Sequence, residues 1–320
     1  MFQTAVVIGK FLPFHRGHQF LIETAQEQSQ QLSIIVCERK DDFVPGTVRA
    51  EWIRQMFPQA RVLLIHDTYD QDDSKLWARL TIEWLGFVPE VAFTSEEYGP
   101  RWAHFMGCQH VLVDLKRERF PISGTKVRHN PRASWDFLPA PAREHFALRI
   151  CIVGAESSGT TTLAQGLASA LNTNWVEEYG REYCAEKYGD ADFEWHSNEF
   201  THIAREQSRL IDAAARGCNR VLVCDTDAFA TRLWHFRYMN FWSDEVDQIA
   251  RAAKQPDLYV LTSPDIPFVQ DGLRDGEHLR EAMHQQFIEE LARWNLNWML
   301  ANGSSDERVA QVLAGIHTLL

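Results

Sequence analysis

A ten-residue turn near the N-terminus, GKFLPFHRGH at residues 9–18, is the feature that most constrains how this chain folds. It follows a short apolar run typical of a buried strand and precedes an apolar-periodic segment typical of a helix. A strand, a glycine-containing turn and a helix N-terminus direct backbone N–H groups and the positive end of the helix dipole at one point. Because a lysine and two histidines also lie in the turn, the sequence predicts a polyphosphate site. Its predicted contacts are Gly9, Lys10, Phe11, His15 and His18.

Strand-like and helix-like segments alternate through the first half of the chain. Apolar runs that predict strands lie at residues 5–8, 32–37, 61–65, 91–94 and 110–114, and helical segments lie between them at residues 48–57 and 75–85. This alternation predicts an α/β fold with a Rossmann-like, doubly wound parallel sheet, whose ligands bind at the carboxyl ends of the strands. The polar turn at residues 9–18 lies at such an end.

The same alternation restarts in the second half of the chain. It follows residues 130–143, where prolines occur and the periodicity is lost. Strand-like runs then lie at residues 148–153, 221–225, 258–261 and 297–300, with helices predicted at about 194–215 and after Ser304 or Ser305. We therefore predict two α/β domains, residues 1–130 and 147–320, joined by a linker at residues 131–146.

Composition narrows the class of protein. The formal net charge of −12 argues against a nucleic-acid-binding protein, but it leaves anionic small molecules open because a site needs only local positive charge. No apolar run approaches the roughly 20 residues that span a bilayer, and no secretory leader pattern opens the chain. The six scattered cysteines are typical of a reducing compartment. We expect a cytoplasmic protein without nucleic-acid or membrane partners, and the sequence leaves a homo-oligomer open.

A second candidate phosphate-binding segment, ISGTKVR, lies at residues 122–128. Ser123 stands at a predicted helix N-terminus, Thr125 adds a hydroxyl, and Arg128 lies further along the same helix, so all three suit phosphate oxygens. An ordinary capped helix with solvated basic residues is the alternative. For the two histidines the alternatives are a zinc site, which their spacing fits poorly, and a purely structural role.

The two segments together resemble the nucleotidyltransferase family whose signatures are (H/T)xGH near the N-terminus and ISxTxxR late in the domain. That resemblance implies that the polyphosphate of ATP lies between His15, His18, Ser123 and Arg128, with a magnesium ion. It also implies that the phosphate of a second substrate attacks the α-phosphorus in line and that pyrophosphate leaves. The histidines then donate hydrogen bonds to phosphate, and Lys10 adds a cation.

Three further segments, at residues 47–52, 94–99 and 113–117, resemble those of NadR-type nicotinamide-nucleotide adenylyltransferases. The resemblance implies ATP and nicotinamide mononucleotide as substrates. Within it, Arg117 is a candidate ATP contact and Trp77 a candidate aromatic that stacks on the pyridinium ring. Core packing is the alternative for Trp77. Another acceptor, such as a pantetheine phosphate or a phosphocholine-like alcohol, is the alternative for the substrate.

In the second half, GAESSGTT at residues 154–161 follows a strand and opens a helix, as a P-loop of the pattern G-x-x-x-x-G-x-[ST] does. It departs from the usual P-loop because Thr160 stands where the phosphate-binding lysine is expected. The loop retains its backbone N–H groups and the hydroxyl of Thr161, a candidate magnesium ligand. Weak or absent nucleotide binding is the alternative. The predicted nucleotide contacts are Gly154, Glu156, Ser157, Ser158, Gly159, Thr160, Thr161 and Thr162.

Other segments of the second half supply the remaining parts of a kinase. Asp225 ends a predicted strand, where a carboxylate would hold magnesium through water. Glu178 is the first candidate for the carboxylate that accepts the proton of the attacking hydroxyl, and Asp227 is the second. Arg274, in a polar loop, is a candidate replacement for the missing lysine. The predicted substrate contacts are Tyr179 and Arg181.

These segments again resemble the NadR type, in order along nearly the whole chain. The resemblance implies a P-loop ribosylnicotinamide kinase that transfers the γ-phosphate of ATP to the 5′-hydroxyl of nicotinamide riboside. The alternatives are a single-activity adenylyltransferase with an inactive second domain, and a second domain that senses nucleotides or binds a partner to regulate the first. Because the first predicted strand begins within the first few residues, we expect no helix-turn-helix repressor module of the kind that some members carry.

Overall fold

The computed structural model describes residues 1–187, 194–269, 277–317 and 319. These residues form two compact units, Met1–Ala142 and Arg143–Leu320. In its described residues each unit contains one five-stranded parallel sheet with helices packed against it, so the predicted α/β architecture is confirmed. Of the helices in the described part of the chain, none is both long and apolar enough to cross a membrane.

The first unit has the strand order of a Rossmann-like sheet, β3-β2-β1-β4-β5. Its strands are β1 (Phe2–Gly9), β2 (Ser29–Glu38), β3 (Arg61–His66), β4 (Val91–Thr94) and β5 (Gln109–Leu112). Its helices are α1 (Arg16–Gln28), α2 (Gly46–Met56), α3 (Ser74–Leu85), α4 (Gly99–Met106) and α5 (Gly124–His129). Strand β1 lies in the middle of the sheet, paired with β2 on one side and β4 on the other. The turn that follows it therefore lies at the switch point of the sheet, where ligands of such folds bind.

Strand β5 ends two residues earlier than the predicted run at residues 110–114. Asp114 has a φ of 49°, in the left-handed region, which an extended strand does not contain. Its carboxylate accepts hydrogen bonds from the backbone N–H groups of Glu118 (2.8 Å) and Arg119 (3.3 Å). A tight loop that contains Arg117 therefore replaces the end of the predicted strand.

Residues 131–146, predicted as a linker, contain a 3₁₀ helix (Trp135–Phe137) and helix α6 (Ala140–Phe146). Trp135 and Leu138 are buried, so this segment packs through apolar side chains. Helix α6 includes the point, between residues 142 and 143, at which the two compact units divide.

In the described part of the second unit the strand order is β10-β9-β6-β8-β7. The strands are β6 (Leu148–Val153), β7 (Trp175–Val176), β8 (Val221–Asp225), β9 (Leu258–Thr262) and β10 (Trp298–Ala301). The helices are α7 (Thr160–Ala170), α8 (Tyr179–Lys187), α9 (Ser197–Ala215), α10 (Ala228–Met239), α11 (Asp244–Ala252), α12 (Arg280–Arg293) and α13 (Ser305–Ile316). Strand β6 pairs with β8 and with β9, so the P-loop that follows it also lies at a switch point.

The limits of β6 coincide with the predicted run because every residue of this central strand is buried. Helices α7 and α13 pack on the sheet through apolar residues that include Leu167 and Val312. Helix α9 begins three residues later than predicted. There His196 is its N-cap, and the Glu199 carboxylate accepts the His196 N–H at 2.7 Å in a capping box.

Candidate nucleotide-binding sites

A cavity of about 580 Å³ lies at the carboxyl end of β1 in the first unit. Its wall includes residues from the turn after β1, from α3, from the loop after β5 and from the start of α5. The predicted site residues that line it are Gly9, Lys10, Phe11, His18, Trp77, Arg117, Ser123, Thr125 and Arg128. The structure thus brings the two segments predicted to bind phosphate to one place. His15 is not part of this wall.

His15 lies at the N-cap of α1, where its Nδ1 accepts the His18 N–H at 3.3 Å. The two imidazole rings stack with centroids 3.7 Å apart. Burial and, to a smaller extent, the Arg117 charge lower the pKa of His15 to about 4. Burial also holds the pKa of His18 well below its usual value. Both rings are therefore neutral at pH 7, and His15 carries its hydrogen on Nε2 because Nδ1 accepts.

The basic side chains of the cavity are held in place by neighbouring groups. Arg128 Nη1 donates to the backbone oxygen of Leu12 at 2.7 Å, and Arg128 Nη2 donates to Thr125 Oγ1 at 3.0 Å. Arg117 pairs with Glu96 at 3.1 Å, with both side chains about half exposed. The cations are thus positioned without being enclosed, which suits exchange with a phosphate ligand.

Helix α5 approaches the turn closely because residue 124 is a glycine. A Cβ at Gly124 would lie 2.6 Å from the backbone oxygen of Leu12. Ser123 caps this helix by accepting the Lys126 N–H at 3.3 Å, and it also lines the cavity. The capping role considered as an alternative for Ser123 and its placement in the cavity therefore occur together.

Trp77 likewise combines a packing role with a place in the cavity wall. Its indole Nε1 donates to the backbone oxygen of Asp70 at 2.8 Å. Its ring makes edge contacts with Tyr69 and Trp84, at centroid distances of 5.8 and 5.9 Å. The side chain is half-buried and packs against the apolar core of the unit. One part of the ring is therefore fixed by packing while another lines the cavity.

Sequence reasoning missed a polar network beside Lys10. Arg39 Nε donates to Asp67 at 2.9 Å. With its amide oxygen turned toward the cations, Gln71 accepts from Lys10 Nζ at 2.7 Å and from Arg39 at 2.9 Å. Asp67 and Gln71 both line the cavity. The available signal was the position of Asp67 directly after the carboxyl end of β3.

Arg49 was also missed as a site residue, although its segment was noted for its resemblance. Its side chain is fully buried and pairs with Asp42. It donates to the backbone oxygens of Val44 (2.9 Å), Cys37 (3.1 Å) and Lys10. Arg49 therefore fixes the backbone of the phosphate-binding turn from within the protein. An arginine in an otherwise buried helical stripe is the sequence signal that could have identified it.

The second unit has a cavity of about 190 Å³ at the carboxyl end of β6. The predicted site residues that line it are Gly154, Glu156, Ser157, Gly159, Thr160, Thr161, Thr162, Glu178, Arg181 and Asp225. Ser158, Tyr179 and Asp227 do not line it. Arg274 lies at a position outside the described residues.

The conformation of the P-loop backbone depends on its two glycines. Gly159 has a φ of 89°, and a Cβ at Gly154 would lie 2.1 Å from Thr262 Oγ1. The Ser158 hydroxyl is buried, donates to the backbone oxygen of Ala155 at 2.6 Å and is hydrogen bonded to Thr262. Its side chain therefore supports the loop, and only its backbone can contact a nucleotide.

The Asp225 carboxylate lies beside the two threonines at the start of α7. Thr161 Oγ1 donates to Asp225 Oδ2 at 2.6 Å. The side chain of Thr160, at the position of the expected lysine, lies near enough to Asp225 to lower the pKa of that carboxyl. Burial raises the pKa of Asp225, while these hydroxyls and the charge of Arg181 act in the opposite direction. This places oxygen ligands of the kind that magnesium prefers at the start of α7.

Arginines from later helices bind successive residues of the loop. Arg237 of α10 pairs with Glu156 at 2.5 Å, and both side chains are largely buried. Arg280 Nη2 of α12 donates to the backbone oxygen of Ser157 at 3.2 Å. The loop therefore has positive charge around it even though residue 160 is not a lysine.

A third arginine, Arg308 of α13, donates to the backbone oxygen of Ser158. The same guanidinium donates to the backbone oxygens of Gly303 and Ser263, each at 3.0 Å, and pairs with Asp265. Its side chain is 3% exposed. Arg308 therefore joins the loop to the segments that follow β9 and β10.

Asp227, the second candidate base, lies away from the cavity. Thr226 has a φ of 75°, which turns the chain after β8. The Asp227 carboxylate caps α10 by accepting the Ala230 N–H at 3.0 Å, and it accepts the Tyr259 hydroxyl at 2.5 Å. These contacts occupy a buried carboxylate that does not line the cavity. Glu178 is the candidate that the structure places in the cavity.

Tyr179 also points away, since its hydroxyl is hydrogen bonded to His202 of α9 at 3.1 Å. Aromatic residues that the sequence analysis did not select line the cavity instead. They are Trp195, Phe200, Trp234 and Tyr238. The ring centroids of Trp195 and Tyr238 are 5.4 Å apart. The spacing of Trp234 and Tyr238, four residues apart on one helix face, was the available signal.

Comparisons with known proteins give matches in both units. A family model described as an AAA domain matches residues 149–308, half of the chain, and one described as the citrate lyase ligase C-terminal domain matches residues 3–72. The trifunctional NAD biosynthesis/regulator protein NadR of Escherichia coli (strain K12) is 29% identical over 316 residues, covering 91% of this chain and 76% of that protein. The protein of the same name from Salmonella typhimurium (strain LT2) is 29% identical over 314 residues, with the same coverage.

Two solved structures share the fold of the whole chain. A crystal structure of NadR in complex with NR has a TM-score of 0.79 at 21% identity and covers 99% of this chain and 96% of that one. A crystal structure of NadR in complex with NAD and AMP-PNP has a TM-score of 0.76 at 20% identity, with the same coverage. Through residues 149–308 the chain therefore belongs to the AAA domain family, and as a whole it is a NadR-type protein.

Proposed function

We propose that the chain is a two-site enzyme of NAD biosynthesis. The first unit transfers the adenylyl group of ATP to nicotinamide mononucleotide, giving NAD and pyrophosphate. The second unit phosphorylates nicotinamide riboside with ATP, which supplies that mononucleotide. The observation that carries the proposal is that the turn at residues 9–18 and the start of α5 line one cavity, with Trp77 in the same wall. The NadR relatives, described as NAD biosynthesis proteins, support it.

In the first site the reaction needs positioning and charge stabilisation and no covalent intermediate. An oxygen of the mononucleotide phosphate attacks the α-phosphorus, and the bond between that phosphorus and the bridging oxygen to the β-phosphate breaks. His18, in the cavity, and His15, stacked behind it, offer neutral N–H donors. Lys10, Arg117 and Arg128 balance the negative charge of the polyphosphate and of the departing pyrophosphate.

In the second site the 5′-hydroxyl of the riboside attacks the γ-phosphorus, and ADP leaves. Glu178 accepts the proton of that hydroxyl, because it is the candidate carboxylate in the cavity. The aromatic side chains Trp195, Trp234 and Tyr238 suit a flat, cationic pyridinium ring.

Thr161 and Asp225 would hold a magnesium ion at the P-loop. Their oxygens fit its ligand preference, and their direct hydrogen bond of 2.6 Å shows that they share one location. When bound with ATP, the ion would neutralise charge on the β- and γ-phosphates. The remaining contacts come from the backbone N–H groups of the loop.

Product analysis with ATP and Mg²⁺ tests both activities. Nicotinamide riboside is supplied in one reaction and nicotinamide mononucleotide in another. We expect NAD and pyrophosphate from both, with ADP only where the riboside is supplied. NAD from the mononucleotide alone would show that the second unit is not a kinase, and NAD from neither would refute the nicotinamide assignment.

One observation favours a second candidate function, in which the second unit binds ATP as a sensor without phosphorylating the riboside. Thr160 replaces the lysine, and three carboxylates line the cavity, from Glu156, Glu178 and Asp225. Nucleotide titration separates the two functions. Tight ATP binding without riboside turnover would indicate a sensor, and no binding would indicate an inactive domain.

A further inference from the structure

The second cavity has an unfavourable charge balance for a polyphosphate. Among the described residues that line it, the ones with charged side chains are Glu156, Glu178, Asp225 and Arg181. Three carboxylates and one guanidinium therefore line this wall, and one of the carboxylates, Glu156, is paired with Arg237 from outside it. The loop position that normally supplies the cation is occupied by Thr160. A nucleotide bound here needs positive charge close to its terminal phosphates. Arg181 is the side chain of this wall that can supply it.

The three arginines that bind the P-loop are less suited to this role. Arg237 pairs with Glu156 at 2.5 Å and does not line the cavity. Arg308 is 3% exposed and pairs with Asp265 in addition to its three backbone acceptors. Arg280 Nη2 donates to two backbone oxygens and does not line the cavity. These three side chains hold the loop in its conformation from outside.

The placement of Arg181 follows from the local fold. Strand β7 ends at Val176, and α8 begins three residues later, so the first turn of α8 lies beyond the carboxyl end of the sheet. The Arg181 N–H donates to the backbone oxygen of Glu178 at 3.2 Å, which fixes this turn. The positive charge of Arg181 opposes the effect of burial on the pKa of Asp225, the carboxylate that accepts the Thr161 hydroxyl.

We propose that Arg181 contacts the terminal phosphates of the nucleotide bound in the second unit and supplies the positive charge that Thr160 cannot. This rests on the nucleotide-binding role proposed above for that unit. A guanidinium suits the task because its planar set of N–H donors matches phosphate oxygens in pairs. Here the cation comes from α8, which follows the carboxyl end of β7, and not from the P-loop.

The test introduces a lysine at position 160 into a chain that lacks Arg181. Riboside phosphorylation is measured for the full chain as wild type, Arg181→Gln, Thr160→Lys and the double variant. We expect Arg181→Gln to lower kcat about 100- to 1,000-fold, which is the effect of removing one preorganised charge-stabilising group. We expect Thr160→Lys to return the double variant to within about tenfold of wild type. Arg181→Lys should retain intermediate activity.

Equal losses in Arg181→Gln and in the double variant would overturn the proposal, as would full activity of Arg181→Gln. Arg205→Gln is the matched control, because Arg205 is exposed on α9 and does not line the cavity. Its kcat should match that of wild type. Circular dichroism and thermal unfolding of each variant show whether the second unit is folded.

A binding measurement separates failure of this proposal from failure of the kinase assignment. Native mass spectrometry with Mg²⁺ and AMP-PNP counts nucleotides per chain, with two expected for wild type and one for Arg181→Gln. Suppose that wild type phosphorylates no riboside and binds two nucleotides, whereas Arg181→Gln binds one. The kinase assignment then fails and the role of Arg181 stands. If both chains bind two nucleotides and phosphorylate equally, the kinase stands and the role of Arg181 fails.

Discussion

The two cavities, both proposed to bind a polyphosphate, differ in the number of cations that line them. In the first unit, three cations line the cavity, namely Lys10, Arg117 and Arg128, together with three carboxylates, those of Asp67, Asp72 and Glu96. In the second unit, three carboxylates line the cavity with Arg181, and Arg237, Arg280 and Arg308 contact the loop without lining the cavity. The first site stabilises phosphate by direct charge, whereas the second depends on how well its surroundings fix the loop. Substitution of the cavity cations should therefore affect chemistry in both units, whereas substitution of the arginines that hold the P-loop should affect loop conformation in the second.

Arg308→Ala should have the largest effect on stability. It leaves the buried backbone oxygen of Ser158 and the partly buried oxygens of Ser263 and Gly303 without this donor, which costs about 3 kcal/mol of unfolding free energy in the second unit. Differential scanning calorimetry measures the two unfolding transitions separately. Arg209→Ala is the control, because its exposed pair with Glu206 is worth only about 0.5 kcal/mol. Equal shifts for the two variants would contradict the role assigned to Arg308.

His18→Ala should separate the two activities. Loss of a buried N–H donor in the first cavity should lower kcat for NAD formation from the mononucleotide about 100- to 1,000-fold. Riboside phosphorylation should not change, because the second cavity is built from other residues. His104→Ala, at an exposed histidine of α4, is the control. A loss of both activities would show that the two units do not function independently.

The stacked histidines should make the first unit sensitive to acid. The pKa of His15 in the folded state is about 4, below its usual 6.5, and that of His18 is also lowered, so the unfolded chain binds more protons between these values. Stability therefore falls as pH drops from about 6.5 to 4, by up to about 1.4 kcal/mol per pH unit for each histidine. Urea unfolding at pH 7 and pH 5 measures how much the unfolding free energy changes with pH. His15→Gln should reduce this change, and an unreduced change would argue against the histidines as its cause.

Trp77→Leu should have the smallest effect. It keeps an apolar side chain but removes the aromatic face, so KM for the mononucleotide should rise about 3- to 10-fold while kcat stays the same. Trp84→Leu is the matched control, because Trp84 contacts Trp77 but does not line the cavity. Equal changes in KM for both variants would indicate that Trp77 acts only through packing.

Sequence reasoning was most accurate where the information is local. The limits of β6 and β8 were predicted to the residue, because buried parallel strands are short apolar runs with polar residues at their ends. Strand β5 was predicted too long, because the left-handed backbone of Asp114 is not visible in the apolar pattern. The tight loops were harder to predict because one residue with positive φ redirects the chain.

The sequence alone determined the two α/β units, the two phosphate-binding turns and the substitution at Thr160, since each is encoded in a contiguous stretch of residues. Only the tertiary structure decided which distant side chains serve those turns. Arg308 reaches Ser158 across 150 residues, the Asp227 carboxylate turns away from the cavity, and an aromatic wall replaces Tyr179. The physical reason is that periodicity and turn chemistry act between neighbours in the chain. The contacts between remote elements arise only when their buried faces pack together.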